Sequence, residues 1–218
     1  MPTKYHNDTY DRIAPEKKDR IIAVALEEFA NKGFNNANTN IIAEKAGISV
    51  GSLFKYFSTK ENFFLTVVNY GVSQLEAALD SIVGSEGSLE EKVEEILRSI
   101  LVHSRTNENI VKLYNEMTSE GNSELIKRLS TDMETVSARC YTSLIRLAKE
   151  DGLISQDIDE RVFAFSMDNL FMALQFSYAC DYYKERMKIY IGDDVFDRDE
   201  HIISEMMKFI KRAFSFKS

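Results

Sequence analysis

The sequence has few glycine and proline residues, which are the residues that most often interrupt helices and strands. Its 218 residues include only 9 glycines and 2 prolines, while 44% are hydrophobic and 28% are charged. That balance is typical of a soluble, ordered protein rich in helix, and it argues against disorder. A chain of this length can form one large domain, or a small domain joined to a larger one, around a substantial apolar core.

Cysteine and histidine are also scarce. Cys140 and Cys180 belong to no CxxC or Cys/His pattern, so we expect buried free thiols in a reducing compartment and no metal site or cofactor. The three histidines, His6, His103 and His201, are far apart in sequence. No phosphate loop, Ser/His/Asp order or paired catalytic carboxylates is evident, so the sequence indicates that the protein is not an enzyme. Catalytic groups assembled only by the fold are the alternative.

Long apolar segments are missing as well. The most apolar stretch, residues 162–180, contains Asp168, Asn169 and Gln175 near its middle, and polar groups without partners are costly in lipid. Residues 1–14 are polar and lack the apolar stretch of a secretory signal peptide. We therefore expect a cytoplasmic protein that does not contact a membrane.

Positive charge is in deficit over the whole chain but not at its beginning. The formal net charge of −8 argues against nucleic acid, because Lys and Arg must neutralise phosphates. Residues 1–64, however, carry nine basic and eight acidic side chains, so the negative excess belongs to the remainder. This asymmetry favours an N-terminal part that tolerates a polyanion, although charge scattered over solvated helices would give the same count.

Apolar residues recur at helical spacing along most of the chain, and no run alternates long enough to indicate a strand. The pattern predicts an all-α protein of about nine helices. Pro15 suits a first helical turn, and Gly33 and Gly47 suit helix ends. The expected helices span residues 15–32, 38–46, 49–57, 60–83, 88–103, 107–120, 123–151, 159–191 and 197–214.

Two short helices around Ala46-Gly47-Ile48-Ser49 form a helix-turn-helix pattern. Glycine supplies the tight bend, and the second helix can enter a DNA major groove. A purely structural corner between two helices has the same packing pattern. Periodicity alone therefore leaves DNA binding and a structural corner both open.

The residues of this segment are more specific than their spacing. The sequence ANTNIIAEKAGISVGSLFKYFSTKENFF, at 37–64, resembles the signature TTxxIAxxAGVSxGxLYxYFxxKExL of the TetR/AcrR family of transcriptional regulators. The resemblance covers residues 15–64, whereas the rest agrees only in helix count and length. The matching positions are Thr39, Ile42, Ala43, Ala46, Gly47, Ser49, Gly51, Leu53, Tyr56, Phe57, Lys60 and Glu61.

The resemblance implies an N-terminal three-helix DNA-binding domain and a C-terminal helical bundle for ligand binding and dimerisation. We accordingly expect a flexible arm at 1–14, the helix-turn-helix domain at 15–60 and the ligand-binding and dimerisation domain at 61–218. It also implies a repressor that binds a palindromic operator as a homodimer and is released by a small apolar or cationic effector. The alternative is a DNA-binding adaptor controlled by a protein partner.

The resemblance assigns nine residues to DNA contact. Lys55 is the expected base reader, and a phosphate contact fits its position equally well. Phosphate contacts are expected from Thr39, Tyr56, Lys60 and Asn38, although Asn38 has helix capping alone as its alternative. The remaining four, which have small side chains near the groove, are Ser49, Val50, Gly51 and Ser52.

Two positions depart from the family pattern. Asn38 replaces the usual Thr, and Phe54 stands where the family usually has Tyr. Ring packing survives the second change, but one hydroxyl that the resemblance would direct at a phosphate is lost. The expected phosphate contacts therefore depend on the other residues of the segment.

The helix expected at 159–191 is apolar nearly all round, so it must be buried on two sides. A core on one side and a subunit interface on the other would explain this, and a single large monomeric bundle is the alternative. The family resemblance assigns the dimer interface to this helix and the last one. The expected interface residues are Phe163, Phe171, Tyr178, Ile203, Met206, Ile210 and Phe214.

Aromatic and sulfur side chains in the central helices either fill the core or line an adaptable apolar pocket. Asp168 and Asn169 interrupt an apolar helix, and a buried carboxylate needs a partner from the protein or from a ligand. Arg105, Arg139 and Gln175 are further candidate polar anchors. The candidate pocket residues are Tyr114, Met117, Cys140, Tyr141, Phe165, Asp168, Asn169, Met172 and Phe176.

Overall fold

The computed structural model describes residues 4–118 and 123–214. All regular elements in these two stretches are helical, which confirms the all-α prediction. A 3₁₀ helix at Val195–Asp197 precedes the last helix. The α-helices of the described residues are α1 (Asp8–Asp11), α2 (Pro15–Asn36), α3 (Thr39–Lys45), α4 (Val50–Phe57), α5 (Lys60–Gly84), α6 (Leu89–Thr106), α7 (Glu108–Met117), α8 (Ser123–Glu150), α9 (Glu160–Ala179), α10 (Asp181–Ile191) and α11 (Asp199–Phe214).

The chain forms two compact units. The first comprises Met1–Gln74 and Asn109–Asp132, and the second comprises Leu75–Glu108 and Met133–Ser218. The first unit thus contains α1 to α4, much of α5, nearly all of α7 and the beginning of α8. It therefore includes residues beyond position 60, where the sequence suggested a domain boundary.

The three helices expected between residues 15 and 57 are α2, α3 and α4. Gly33, with φ 68° and ψ 170°, interrupts α2 at the position where the sequence suggested a helix end. A short helical segment at 34–36 follows the glycine and leads to α3. The inward face of α2 is buried and consists of Ile21, Ile22, Ala25, Leu26, Phe29 and Ala30.

Four phenylalanines from α2, α4 and α5 form the aromatic core of the first unit. Phe57 stacks on Phe63 with ring centroids 4.3 Å apart. Phe29 meets Phe63 at 5.7 Å and Phe64 at 4.9 Å, both edge to face. All four side chains are fully buried, and such aromatic pairs contribute stability beyond their buried area. This core fixes the inner side of α4.

A strained turn joins α4 to α5. Ser58 has φ 63° and ψ −46°, and the Thr59 N–H donates to the Phe57 carbonyl at 2.7 Å. A hydrogen bond that spans one central residue of positive φ defines the rarer and more strained form of γ-turn. Only Ser58 and Thr59 lie between the two helices, and Ser58 is the central residue of the turn.

The sequence predicted a single helix over 159–191, and this prediction is wrong. Cys180 has an extended backbone, with φ −103° and ψ 131°, and separates α9 from α10. The break allows α10 to pack against α9, where the ring centroids of Phe176 and Tyr183 are 5.3 Å apart. Neither glycine nor proline marks the break, so residue spacing could not indicate it.

A polar network links three helices of the second unit. Arg105 of α6 forms a two-pronged contact with the Asp199 carboxylate of α11 and also donates to the Phe196 carbonyl at 2.7 Å. The Tyr178 hydroxyl of α9 donates to the same carboxylate at 3.0 Å. The guanidinium group also lies 4.8 Å from the centre of the Tyr178 ring. One carboxylate therefore organises α6, α9 and α11.

The turn at Ser58 generates a stability prediction. Ser58→Val places a β-branched side chain at positive φ and should lower the free energy of unfolding by about 1 to 3 kcal/mol. Ser58→Gly also removes the hydroxyl but accepts this φ, so it should lie within about 1 kcal/mol of the parent. Urea denaturation followed by circular dichroism measures both variants. Equal stability of the valine and glycine variants would contradict a strained turn.

Candidate nucleic-acid interface

The turn between α3 and α4 has the geometry of a helix-turn-helix. Gly47 has φ 67°, and its N–H donates to the Glu44 carbonyl at 3.0 Å. The Ile48 N–H donates to the Ala43 carbonyl at 2.9 Å. A Cβ added at Gly47 would meet nothing within 4 Å, so glycine is favoured there by backbone conformation and not by lack of space.

Side-chain caps fix where both helices begin. The Asn38 carboxamide oxygen accepts from the Asn40 N–H at 2.9 Å, and the Ser49 hydroxyl accepts from the Ser52 N–H at 3.0 Å. The hydroxyls of Ser49 and Ser52 also bond to each other at 2.8 Å. Capping by Asn38 is therefore real, while phosphate contact by Asn38 and by the half-exposed Thr39 remains a prediction.

Helix α4 has one side in the core and one side in solvent. Leu53, Tyr56 and Phe57 are buried, whereas Gly51 and Lys55 are exposed. The other expected groove residues lie near the start of the helix, where Ser49 is exposed and Val50 and Ser52 are half-buried. The outward side thus combines a long cation, a position that has no side chain and the ring of Phe54, which is 37% exposed.

Two expected phosphate ligands are already held by their own chain. The Tyr56 hydroxyl accepts from the Lys17 ammonium at 3.2 Å, and that ammonium lies 5.6 Å from the centre of the ring. Lys60 donates to the Asn35 carbonyl at 3.0 Å and lies 5.2 Å from the centre of the Phe34 ring. These contacts restrict both side chains before any DNA is present.

Two residues of α2 support the interface, and the sequence analysis missed both. Lys17 brings positive charge to the Tyr56 hydroxyl. Arg20 donates through Nε to the Ala46 carbonyl at 2.8 Å, which ties α2 to the turn of the helix-turn-helix. Their partners are 39 and 26 residues away along the chain, so no local signal in the sequence could have identified them.

The segment before α2 differs from the flexible arm that the sequence suggested. Residues 8–11 form α1, and Tyr10 is buried against the rings of Tyr56 and Phe57. Asn7 and Thr9 donate hydrogen bonds to the end of α4. Because these partners lie 46 to 49 residues further along the chain, composition could not indicate the packing.

The candidate pocket residues are distributed over both units. In the first unit Met117 is buried and Tyr114 is half-buried. In the second unit Phe165 does not face an interior, because it is 69% exposed on the outer side of α9. The other candidates of the second unit are partly or fully enclosed, and they are Cys140, Tyr141, Asp168, Asn169, Met172 and Phe176.

Asp168 is the chemically distinctive member of this set. Burial, with the charge of Glu134 nearby, raises the pKa of the Asp168 carboxyl to about 6, and a hydrogen bond with Ser137 partly opposes the shift. Burial also raises the pKa of the Tyr141 hydroxyl, to which the Asp168 charge contributes. The carboxylate therefore shares its surroundings with a second acid and a buried phenol.

The arginines expected as polar anchors have protein partners. Arg139 donates to Asp80 at 2.9 Å and to Glu76 at 3.2 Å. Arg105 is held in the network with Asp199 and Tyr178 that links α6, α9 and α11.

Most of the expected dimer residues are covered by their own chain. Phe171, Tyr178, Ile203 and Ile210 are buried, Phe163 and Met206 are half-buried, and the side chain of Phe214 lies outside those described. The apolar side chains that α9 and α11 present to solvent are different ones. They are Val162, Phe165 and Phe209, which are 63%, 69% and 64% exposed.

Among the described residues, no helix is both long and apolar enough to cross a membrane. In the same ranges, no three or more His, Cys, Asp or Glu side chains form a group that could hold a metal ion.

The sequence is similar to known transcriptional regulators. Residues 21–67 match the model of the family described as bacterial regulatory proteins, tetR family. The uncharacterized HTH-type transcriptional regulator YhgD of Bacillus subtilis is 24% identical over 166 residues, which cover 75% of this chain and 84% of YhgD. QacR of Staphylococcus aureus, also an HTH-type transcriptional regulator, is 42% identical over 52 residues, which cover 24% of this chain and 28% of QacR.

Solved structures have the same fold. The fatty acid degradation regulator FadR from Bacillus halodurans superimposes with a TM-score of 0.71 at 17% identity, covering 92% of this chain and 98% of that protein. FadR from Bacillus subtilis, solved in complex with stearoyl-CoA, has a TM-score of 0.70 at 16% identity, covering 87% of this chain and 96% of that protein. These relatives and neighbours are transcriptional regulators and not enzymes.

The raised pKa of Asp168 generates a prediction about pH. The folded protein holds this proton more tightly than the unfolded chain, so the contribution of Asp168 to the free energy of unfolding should fall as pH rises from about 4 to about 6. Asp168→Asn should abolish that fall and be more stable than the parent at pH 7. Urea denaturation at several pH values measures this, with Asp151→Asn as a control for losing one exposed carboxylate. Parallel pH profiles of the parent and Asp168→Asn would contradict the assignment.

Proposed function

We propose that this chain, which belongs to the TetR family of bacterial regulatory proteins, is a ligand-responsive repressor that binds a palindromic operator as a homodimer. The observation that carries the proposal is α4, which follows a glycine turn, is anchored by buried aromatic rings and presents Lys55 on its outer side. Such a helix has the size and exposure needed to enter a major groove. Because a regulator of this kind acts on the chromosome, the location that we propose is the cytoplasm.

The outer side of α4 supplies the proposed base contacts. Lys55 is exposed, and its amine can reach guanine O6 or N7 in the groove. Gly51 has no side chain, so the backbone of the first turn can approach base edges closely. Ser49 and Ser52 add small donors at the start of the helix.

Phosphate contacts are proposed on both sides of α4. Lys60 is the first residue of α5, where its charge and the N-terminal backbone N–H groups can act together on a phosphate. The Tyr56 hydroxyl, with the Lys17 ammonium at 3.2 Å, forms a second cationic position. Thr39 lies in the first turn of α3 and offers a hydroxyl beside another helix N-terminus.

A homodimer would explain the apolar surface of the second unit. Val162 and Phe165 lie one turn apart on the outside of α9, and Phe209 is exposed on α11. Large exposed apolar side chains that cluster on a helix typically mark an interface. A two-fold dimer would place its recognition helices about one DNA turn, roughly 34 Å, apart and would require a palindromic operator.

The proposed effector is a small apolar or cationic molecule. FadR of Bacillus subtilis, which shares this fold, was solved with stearoyl-CoA, and this supports a ligand with a long apolar part. Asp168 offers a partly buried carboxylate that would favour a cationic group. An effector releases DNA only if it binds the DNA-free conformation more tightly than the DNA-bound one. The alternative is an adaptor in which a protein partner replaces the small molecule.

A gel shift with DNA from upstream of the protein's own gene tests the proposed function. We expect a complex that forms on a palindromic fragment and dissociates on addition of a long-chain alcohol or of a quaternary ammonium compound. A complex that resists both compounds but responds to a protein from the same cell would favour the adaptor. Absence of binding to any palindrome in that region would count against autoregulation by this chain.

Lys60 and Lys55 should differ in their effect on DNA binding. Lys60→Ala should weaken binding similarly for all sequences and reduce the slope of log affinity against log salt by about one, because one phosphate contact is lost. Lys55→Ala should instead change the preferred bases. Lys92→Ala is a matched control, since Lys92 also donates to a backbone carbonyl but belongs to the second unit. An unchanged salt slope for Lys60→Ala would exclude its phosphate role.

The proposed dimer can be tested through Phe165. Phe165→Glu places a charge in the proposed interface and should convert the dimer into a monomer at micromolar concentration, measured by light scattering. Tyr182→Glu is the control, because Tyr182 is equally exposed and apolar but lies on α10. If Phe165→Glu remained dimeric while Tyr182→Glu dissociated, the interface would have to be assigned to α10.

A further inference from the structure

We propose that residues 4–13 form a brace that fixes the orientation of the recognition helix α4 and thereby sets the discrimination between operator and unrelated DNA. The inference deepens the proposed function and rests on it, because discrimination presupposes an operator. It assigns positioning roles to Asn7, Thr9 and Tyr10, which lie outside the segment that matches the family model.

The brace supplies hydrogen bonds that α4 cannot make for itself. The last four carbonyls of a helix have no partner within it. In α4 the Lys55 carbonyl accepts from the Asn7 side-chain amide at 2.9 Å and from the Thr9 hydroxyl at 3.1 Å. The Tyr56 carbonyl accepts from the Asn7 N–H at 2.8 Å. Two of the four terminal carbonyls are therefore satisfied by the brace.

The same segment adds apolar contact and reaches the turn after α4. The buried Tyr10 ring lies 4.8 Å from the centre of Phe57 and 6.0 Å from that of Tyr56. Asn7 also donates to the Ser58 hydroxyl at 3.0 Å, beside the strained γ-turn. The brace thus holds the C-terminal end of α4 through both polar and apolar contacts.

A further contact ties the brace to α2. The Lys18 ammonium donates to the Asp11 carbonyl at 2.9 Å and lies 5.6 Å from the centre of the Tyr10 ring. The segment is consequently held between α2 and α4. Displacement of the end of α4 would therefore also have to break the contacts of the segment with α2.

The charge of the segment indicates that it positions α4 and does not itself bind DNA. Lys4 pairs with Asp8 at 2.6 Å and with Asp11 at 2.7 Å, and His6 bonds to Asp11 at 2.8 Å. With Arg12, the segment carries two permanent cations and two carboxylates. A segment that bound phosphates would need a surplus of positive charge, and residues 4–13 have no such surplus.

Orientation matters more for an operator than for other DNA. Hydrogen bonds to base edges are directional, whereas attraction to phosphates carries no sequence information and tolerates a tilted helix. A helix whose end is loosened should therefore lose specific affinity while it keeps its non-specific affinity.

The test compares DNA binding of side-chain variants by fluorescence anisotropy. Asn7→Ala combined with Thr9→Val should reduce affinity for the operator roughly tenfold, as two side chains lose their hydrogen bonds to α4, and leave affinity for an unrelated duplex within about twofold. Thr9→Ser alone keeps the hydroxyl and should bind like the parent. Thr106→Val is the matched control, because it removes a similar hydroxyl-to-carbonyl bond from α6.

Hydrogen exchange provides a readout that does not require DNA. In the double variant the amides of α4 should exchange roughly tenfold faster, while those of α6 stay unchanged. Unchanged exchange in α4 overturns the brace whether or not an operator has been found. If the parent protein binds no palindrome but the exchange result holds, the proposed function fails and the physical brace stands.

Three DNA-binding results would also overturn the inference. Equal losses of operator and non-specific affinity would mean that the double variant is damaged in a general way. Unchanged operator affinity would mean that α4 needs no support from this segment. A weaker complex with a reduced salt slope in Lys4→Ala would make the segment a direct phosphate ligand.

Discussion

A helix of eight residues has about two turns and is not stable in water by itself, so everything that α4 can do depends on what holds it. Its start is fixed by the Ser49 cap and its inner side by Phe57 in the aromatic core. Its end is fixed by the turn at Ser58 and by Asn7. The supporting residues come from the segments before and after α4 in the sequence and from its buried side. The outer side of the helix is therefore left available for contact with DNA.

In the second unit, too, a single group contacts several helices. The carboxylate of Asp199 in α11 binds side chains from α6 and α9. Two arginines of this unit are paired with carboxylates of the same unit, Arg105 with Asp199 and Arg139 with Asp80. Asp168 differs, because burial, together with the charge of Glu134, raises the pKa of its carboxyl. A carboxylate in such surroundings is the one whose charge state a bound cation would change most. This contrast is why Asp168, and not the arginines, carries the chemistry of the proposed effector site.

Local signals allowed the sequence to predict the helix-turn-helix closely. Caps at Asn38 and Ser49 and the glycine at position 47 act within three or four residues, so their effect can be read directly from the chain. The break at Cys180 has no such signal. The packing of residues 4–13 depends on partners more than 40 residues away. Periodicity identifies an apolar side of a helix but not the element that covers it. For that reason the sequence predicted Phe165 in a pocket, whereas the structure has its side chain in solvent.

The hydrogen bonds from Asn7 and Thr9 end on backbone carbonyls of α4, not on its side chains. The support of this end of the helix is therefore independent of which residues occupy its outward positions. Evolution, or an engineer, can exchange the side chains at positions 51 and 55 while these hydrogen bonds are unchanged. A few substitutions on the outer side of α4 can thus change the preferred operator, and no compensating mutation is needed in the segment that supports the helix.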